Sequence, residues 1–180
     1  MAQPEGTRAV KVGVLLARQA DDLAEWLADA AAFEAAGADA LWVDLAPEAE
    51  LDPLALTAAL AAVTFRPLLV TTLPAPDGPS QALERMLATI AQLSRGRLRV
   101  LPDASPLGEL GELADIGPGL EEHWVSASSP DSRAAWRATL ADAAERGAQG
   151  LLVPAGPRLL DILRNPGEPG GRGDLQLSQG

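Results

Sequence analysis

Short runs of apolar residues alternate along this chain with longer segments in which apolar residues recur at helical spacing. The apolar runs cover residues 10–17, 40–45, 67–73, 98–102, 123–127 and 150–154. The segments with helical periodicity are 22–36, 53–63, 80–93, 130–146 and 157–164. Because the strand-like runs are almost continuously apolar and alternate with helices, the pattern predicts a parallel sheet covered by helices.

Capping residues mark the ends of the predicted helices. Asp22, Asp52 and Ser129 stand where an N-cap is expected, and a proline follows both Asp52 and Ser129. The segments 37–43 and 147–153 share the form Gly-Ala-x-x-Leu-x-Val. This weak internal repeat indicates recurring strand–helix units.

The number of predicted strands limits how far the fold can be specified. A closed barrel of eight strand–helix units usually needs about 200 residues or more. Between 103 and 119, glycine and proline interrupt the pattern, and at most a short helix at 109–114 fits there. The sequence therefore fits either a TIM-barrel-derived α/β fold truncated to about six strands or an open doubly wound sheet. We expect one domain over 1–166 and a flexible Gly/Pro-rich tail over 167–180.

The composition and net charge argue against several classes of partner and of site. The 180-residue chain has a net charge of −11 and a pI near 4.4, so nucleic acid and anionic membranes are poor partners. It has no cysteine, which excludes disulfides, thiolate metal sites and cysteine nucleophiles. His123 is the single histidine, so a histidine-based metal site is unsupported. The first apolar run is too short for a signal or membrane segment, and we expect a cytoplasmic protein.

Three segments carry a resemblance to a known family. They are 35–43, AAGADALWV; 51–64, LDPLALTAALAAVT; and 88–98, ATIAQLSRGRL, which contains the form Leu-Ser-x-Gly-Arg. In this order and at this spacing they resemble the N-terminal half of the bacterial luciferase-like superfamily of flavin-dependent monooxygenases. A looser similarity covers 159–166, LLDILRNP. The chain is similar to a shortened member of that superfamily.

The resemblance implies a TIM-barrel-derived fold that binds a reduced flavin, either FMN or a deazaflavin, at the carboxyl-terminal mouth of the barrel. It also implies oxygen or hydride chemistry on a small organic substrate, and a tendency to dimerise. The chain departs from the family pattern at 43–47, which contain no histidine, and at 103–119, where the central strands and much of the phosphate-binding half are compressed. An incomplete barrel leaves an open sheet edge, which we expect a homodimer or heterodimer partner to cover.

Candidate site residues follow the predicted strands, because barrel active sites lie at the carboxyl ends of the strands. Asp44 follows the second strand and is the candidate catalytic base or flavin-edge ligand; a solvated loop carboxylate or a helix cap is the alternative. The resemblance implies that Thr71 or Thr72 faces the flavin ring, although threonine is also an ordinary strand residue. Asp103 holds the corresponding position after the fourth strand.

Serines after the fifth strand are the candidates for holding a flavin phosphate. Ser126 and Ser128 precede a predicted helix N-terminus, which offers backbone donors to an anion. Plain capping by Ser129 is the alternative. His123 begins the same strand at the end away from the active face, so we expect a structural role. The four tryptophans are expected to pack in the core, with an aromatic platform for the flavin as the alternative.

Two functions therefore stay open. The first is a luciferase-like flavin-dependent oxidoreductase or monooxygenase, which the three ordered segments support. The second is a catalytically inactive relative that binds flavin or pairs with a complete member of the superfamily. The missing units and the absent histidine support the second function.

Overall fold

The computed structural model describes residues 10–17, 22–43, 51–73, 80–102, 114–115 and 122–166. Within these residues the chain forms seven strands and five helices. In chain order they are β1 (Lys11–Leu16), α1 (Leu23–Ala35), β2 (Ala40–Val43), α2 (Pro53–Val63), β3 (Leu68–Leu73), α3 (Gln81–Leu93), β4 (Leu98–Pro102), β5 (Ala114–Asp115), β6 (His123–Ser126), α4 (Arg133–Glu145), β7 (Gly150–Pro154) and α5 (Pro157–Arg164). The predicted tail lies outside the described residues.

The first two helices begin at the predicted capping side chains. The carboxylate of Asp22 accepts hydrogen bonds from two backbone N–H groups of the first turn of α1, at 2.7 and 3.2 Å. The carboxylate of Asp52 accepts one from the first turn of α2 at 2.8 Å, and Pro53 follows it. Each cap satisfies N–H groups that have no partner inside the helix, and both predictions are confirmed.

One local prediction is wrong, and one described strand, β5, lies in the segment where at most a short helix was expected to fit. The cap of α4 is Ser132 and not Ser129, since the hydroxyl of Ser132 accepts from a first-turn N–H at 3.1 Å. The guanidinium of Arg158 binds the carbonyl of Asp131, the residue before this cap. Ala114 does not end a short helix but lies in β5, which pairs antiparallel with β6.

The strands form one sheet in the order β4-β3-β2-β1-β7-β6-β5. Six of the strands run parallel, and only the two-residue β5 is antiparallel. Strands β2, β3 and β4 lie in succession on one side of β1. Strands β7, β6 and β5 lie on its other side, so that the last strand of the chain, β7, pairs with the first. A closed barrel of eight strand–helix units has this cyclic order, and here β6 and β7 hold the places of its last two strands.

The helices lie on one side of the sheet. One buried cluster combines side chains of α1, α2, α4 and α5 with the outward side chains of the strands. A second cluster, on the other side, consists of strand residues alone. A doubly wound sheet has helices on both faces, so this alternative is excluded. The fold is a curled parallel half-barrel, a truncated TIM-barrel-like α/β fold, as predicted.

The Gly-Ala-x-x-Leu-x-Val repeat joins each helix to the amino end of the next strand. The backbone N–H and the carboxylate of Asp39 both bind the backbone of Val12, each at 2.8 Å. Gln149 binds the backbone of His123 in the same way, at 2.8 and 2.5 Å. The third repeat position therefore fixes a strand to its neighbour. His123 has the structural position that the sequence predicted.

The Leu-Ser-Arg-Gly-Arg segment closes α3 at the amino end of the sheet. Arg97 donates to the carbonyl oxygens of Thr64 at 2.7 Å, Pro67 at 2.8 Å and Ser94 at 2.8 Å. Gly96 has φ +79°, which a glycine adopts without strain. The signature thus ties the end of α3 to the loop between α2 and β3.

Glu34 of α1 also binds the loop between α2 and β3. Its carboxylate accepts from the backbone N–H of Phe65 at 2.9 Å and of Arg66 at 2.7 Å. Burial lowers the pKa of the Arg97 guanidinium; the Glu34 carboxylate acts to raise it, and the Arg95 guanidinium lowers it further. Both side chains stabilise the amino end of the sheet, opposite to the end where barrel active sites lie.

Candidate active site at the carboxyl rim

The carboxyl ends of the six parallel strands lie at one rim of the half-barrel. Side chains alternate along each strand between the helix side and the opposite side, which we call the concave face. The buried members of the concave face are Ala40, Trp42, Val70, Leu101, Trp124 and Leu152. Since active sites of barrels lie at this rim, the rim and the concave face beneath it form the candidate site.

Contacts across the concave face reveal a stagger between the strands. In register, Lys11 of β1 pairs with Gly150 of β7, which pairs with Trp124 of β6. The side chain of Lys11 nevertheless contacts Glu122, two residues before Trp124. The ring of Trp124 in turn lies against Gly13, two residues after Lys11. Side chains at one height therefore come from alternate strands, as in the layered interior of a closed barrel.

Strands β1, β3 and β6 contribute three such layers. The lowest contains Lys11, Leu68 and Glu122, the middle one contains Gly13, Val70 and Trp124, and the one nearest the rim contains Leu15, Thr72 and Ser126. A complete barrel has four side chains in each layer. The described residues supply three side chains to each layer. In the middle layer, the ring of Trp124 is much larger than the other two members.

Trp124 covers the centre of the concave face. A Cβ atom built on Gly150 would lie 2.2 Å from Cδ2 and 2.3 Å from Cε3 of the indole. The indole N–H donates to Glu122 at 3.3 Å, and the same carboxylate binds the ammonium of Lys11. This ion pair lies beneath the ring at the amino-terminal end of the half-barrel.

Trp42 packs on Trp124, with ring centroids 5.9 Å apart and planes at 56°. Both side chains are 2% exposed. The indole N–H of Trp42 is buried and has no hydrogen-bond acceptor among the described residues. Both rings therefore pack in the interior below the rim, as predicted for the tryptophans.

The predicted cofactor residues separate into three groups. Thr72 and Ser126 lie on the concave face in the layer nearest the rim, are half-buried, and have hydroxyls without a hydrogen bond to any described residue. Thr71 alternates to the helix side and is 1% exposed. Ser128 is exposed in the segment before α4. Of the two threonines, Thr72 has the position expected of a residue that faces the flavin.

The remaining two candidates, Asp44 and Asp103, lie outside the described residues. Each directly follows a described strand, β2 and β4 respectively. Their roles stay predictions from the sequence.

A polar cleft of about 410 Å³ separates the first turns of α4 and α5. Its arginines are engaged: Arg133 binds the carboxylate of Asp161 at 2.9 Å, and Arg158 binds the carbonyl of Asp131. From the sequence, the turn 154–158, which contains Arg158, is one of two turns that could hold a flavin phosphate, but no local pattern shows that α4 and α5 meet. These polar contacts connect α4 to α5 on the outer side of the rim.

Below the rim, the buried rings of Trp42 and Trp124 lie on the concave face, so a flavin there would lie against them. At the level of the rim the fit is better. Thr72 and Ser126 provide two uncommitted hydroxyls on opposite arms of the curled sheet, and either can bind the polar edge of a flavin. Among the described residues, the polar side chains that fit a flavin edge lie above the tryptophan pair.

The described part of the chain contains no cluster of three or more histidine, aspartate or glutamate side chains that could bind a metal ion. None of its helices is long and apolar enough to span a membrane.

Comparison with known proteins gives no match to a family model and none to a curated protein. Among solved structures, the EDTA monooxygenase of Chelativorans sp. BNC1 is similar with a TM-score of 0.46 and 18% identity, over 53% of this chain and 28% of that chain. Tryptophan synthase from M. tuberculosis, in an aminoacrylate- and BRD0059-bound form, is similar with a TM-score of 0.43 and 15% identity, over 88% and 91%. The open form of that enzyme gives a TM-score of 0.40.

The chain therefore spans about a quarter of the monooxygenase that it matches. TM-scores below 0.5 do not identify a family, and the fold class rests on the strand order and the one-sided helix layer.

Proposed function

We propose that this chain is a luciferase-like flavin-dependent oxidoreductase domain that binds its flavin at the carboxyl rim, above the Trp42–Trp124 pair. The observation that carries the proposal is the position of Thr72 and Ser126 nearest the rim of a parallel half-barrel, with hydroxyls that bind no described residue. The three segments that resemble the luciferase-like superfamily support it from the sequence.

In this proposal the chain's own residues bind and orient the cofactor. Thr72 and Ser126 donate to polar atoms of the ring edge, and Ser128 lies near the phosphate with the first turn of α4. Asp44 and Asp103 follow β2 and β4 in the sequence, and Asp44 is the candidate base. The apolar rings of the tryptophan pair lie beneath the cofactor and exclude water from its buried side. A bound flavin, FMN or a deazaflavin, supplies hydride transfer or oxygen activation.

Binding of flavin is the first test of this function. We expect oxidised or reduced FMN to bind saturably at micromolar concentration and to quench tryptophan fluorescence, because two of the four tryptophans lie under the rim. Thr72→Val removes one hydroxyl at nearly constant volume and should weaken binding about 5- to 10-fold, the usual worth of one hydrogen bond. Thr71→Val is the matched control, since Thr71 lies on the helix side. Absence of saturable binding to the unmodified protein contradicts the proposal.

The filled interior favours a second candidate, a catalytically inactive relative that binds flavin or pairs with a complete member of the superfamily. Trp42 and Trp124 are both 2% exposed, so the described concave face presents two packed rings beneath the rim. This protein would bind flavin but would not oxidise it with any coupled substrate. Consumption of oxygen and reduced flavin by the purified protein alone, with formation of an oxidised product, excludes this candidate.

A further inference from the structure

Positive charge is concentrated at the amino end of the sheet, although the chain as a whole is acidic. The chain has 14 basic and 25 acidic residues, and four arginines but no acidic residue fall within 64–67 and 94–99. The first segment joins α2 to β3, and the second joins α3 to β4 and includes the first residues of β4. We call the surface that they form the amino-end patch, and its side chains are Phe65, Arg66, Arg95, Arg97 and Arg99.

Contacts between the two segments bring these side chains together. The guanidinium of Arg97 donates to the carbonyls of Thr64 at 2.7 Å and Pro67 at 2.8 Å. The guanidinium carbon of Arg95 lies 5.8 Å from the centre of the Phe65 ring, within the range of a cation–π contact. The two segments, which lie about 30 positions apart in the sequence, therefore form one surface that combines positive charge with an aromatic ring.

The carboxylate of Glu34 offsets part of this charge. Glu34 is 8% exposed, and its carboxylate accepts from the backbone N–H groups of Phe65 and Arg66. The guanidinium of Arg66 lies 3.6 Å from the same carboxylate, yet its side chain is 71% exposed. The carboxylate of Asp39, in the loop before β2, binds the backbone N–H of Val12. Because one carboxylate does not balance four guanidinium groups, the amino-end patch keeps a net positive charge.

Two features of the amino-end patch are costly for an isolated fold. The ring of Phe65 is 60% exposed. Arg95 has φ +55° and is the single non-glycine with a positive φ in the described part of the chain. Glycine or asparagine adopts this conformation at lower cost, and the side chain of Arg95 makes no hydrogen bond to a described residue. Strain of this kind at an exposed charged residue points to a role in recognition.

We propose that the amino-end patch binds an acidic segment of a partner protein, with carboxylates at the arginines and an apolar side chain against Phe65. Charge interactions at a protein surface are screened over about 8 Å at physiological ionic strength. A short acidic segment within that distance meets the arginines. A nucleic acid duplex or an anionic membrane extends further and also faces the acidic remainder of a chain whose net charge is −11. The site lies at the end opposite to the rim and is independent of flavin binding.

Repulsion within the amino-end patch favours such a ligand. Burial lowers the pKa of Arg97, the Glu34 carboxylate raises it, and the Arg95 guanidinium lowers it further. The guanidinium groups of Arg95 and Arg97 therefore repel each other. A carboxylate bound beside them would reduce this repulsion.

Fluorescence anisotropy of a rhodamine-labelled peptide that alternates glutamate with phenylalanine tests the site on the full chain. We expect saturable binding at micromolar concentration that weakens as salt is raised, and no binding when glutamine replaces glutamate in the peptide. Arg95→Gly should weaken binding about 3- to 5-fold, the loss expected for one exposed charge pair. The same change should leave the thermal midpoint unchanged or raise it by about 2 °C, because glycine adopts a positive φ without strain. Loss of binding is thereby separated from loss of folding.

Two further variants test the specificity of the site. Phe65→Ser should weaken binding of the glutamate–phenylalanine peptide but not of a peptide that alternates glutamate with serine, and circular dichroism checks that the variant is folded. Arg137→Gln removes an exposed positive charge from α4, away from the amino-end patch, and should change neither affinity. The proposal is overturned if the unmodified protein does not bind the acidic peptide, or if Arg137→Gln weakens binding as much as Arg95→Gly. Tighter binding of a DNA duplex or of phosphatidylserine vesicles would identify a different class of partner and would also overturn it.

Discussion

Replacing Gly150 with alanine is expected to lower the free energy of unfolding by about 3 kcal/mol or more, the upper range for an overpacked core. The new Cβ would lie 2.2 Å from Cδ2 of Trp124, far inside any carbon–carbon contact. The rigid indole has little room to move, since a Cβ at Gly13 would lie 2.7 Å from its Cζ3 and the ring of Trp42 packs against it. We expect the thermal midpoint, followed by circular dichroism, to fall by about 6–12 °C.

Two controls separate this clash from the general cost of changing a glycine. Gly156→Ala should be close to neutral, because Gly156 is extended at φ −179° and nothing lies within 4 Å of a built Cβ. Gly150→Ala combined with Trp124→Leu should lose less stability than the sum of the two single changes, because the smaller side chain leaves room for the methyl group. Strict additivity would show that the ring of Trp124 does not cover Gly150.

The ends of the helices could be read from the sequence because they depend on local chemistry. Asp52 followed by Pro53 fixes the start of α2, since the carboxylate satisfies a first-turn N–H and the proline needs none. The same reasoning gave the wrong N-cap for α4, Ser129. The cap is Ser132, three residues on, and beside it Arg158 binds the carbonyl of Asp131, a contact between residues far apart in the sequence.

The choice between a half-barrel and a doubly wound sheet could not be made from the sequence. Both folds alternate apolar strands with amphipathic helices, so the local pattern is the same in each. They differ in whether the last strand returns to pair with β1, as Val12 does with Leu151 and Val14 with Val153. That pairing joins residues about 140 positions apart, and no local periodicity encodes it.

The candidate site was predictable only in part, for a similar reason. Thr71 and Thr72 end a strand, Leu68–Leu73, that is apolar towards both faces, so its sequence does not show which threonine faces the interior. The meeting of Trp42 with Trp124 depends on the stagger between strands. Glycine within the predicted strands at Gly13 and Gly150 was the available signal, because such glycines often mark a close approach of another group.

The segment most characteristic of the resemblance, Leu-Ser-Arg-Gly-Arg, lies at the end of the sheet opposite to the rim. Its residues connect α3 to β4 and bind the loop before β3. They contact none of the candidate cofactor residues among those described. Ser94 is fully buried, and its hydroxyl accepts from the N–H of Leu98 at 3.2 Å. The segment therefore supports the fold rather than the chemistry, which is why flavin binding has to be tested separately.

Replacing Arg97 with methionine is expected to lower the free energy of unfolding by about 2–4 kcal/mol, because buried carbonyls lose their donor. The guanidinium donates to Thr64, Pro67 and Ser94 at 2.7 to 2.8 Å, and methionine keeps much of the apolar stem while removing every donor. Urea unfolding followed by circular dichroism measures the change. Flavin affinity measured on the folded variant should not change, since Arg97 lies at the far end of the sheet.

Lysine at position 97 should recover only part of this loss, although it keeps the positive charge. One ammonium cannot reproduce the planar fork that reaches three carbonyls at once, and its stronger hydration makes burial beside them more costly. Arg137→Met is the matched control, because Arg137 is exposed on α4 and makes one long contact within its own helix, at 3.3 Å. If Arg97→Lys were as stable as the unmodified protein, charge near Glu34 rather than the hydrogen-bond geometry would hold the joint, and Glu34→Gln should then destabilise the protein as much as Arg97→Met.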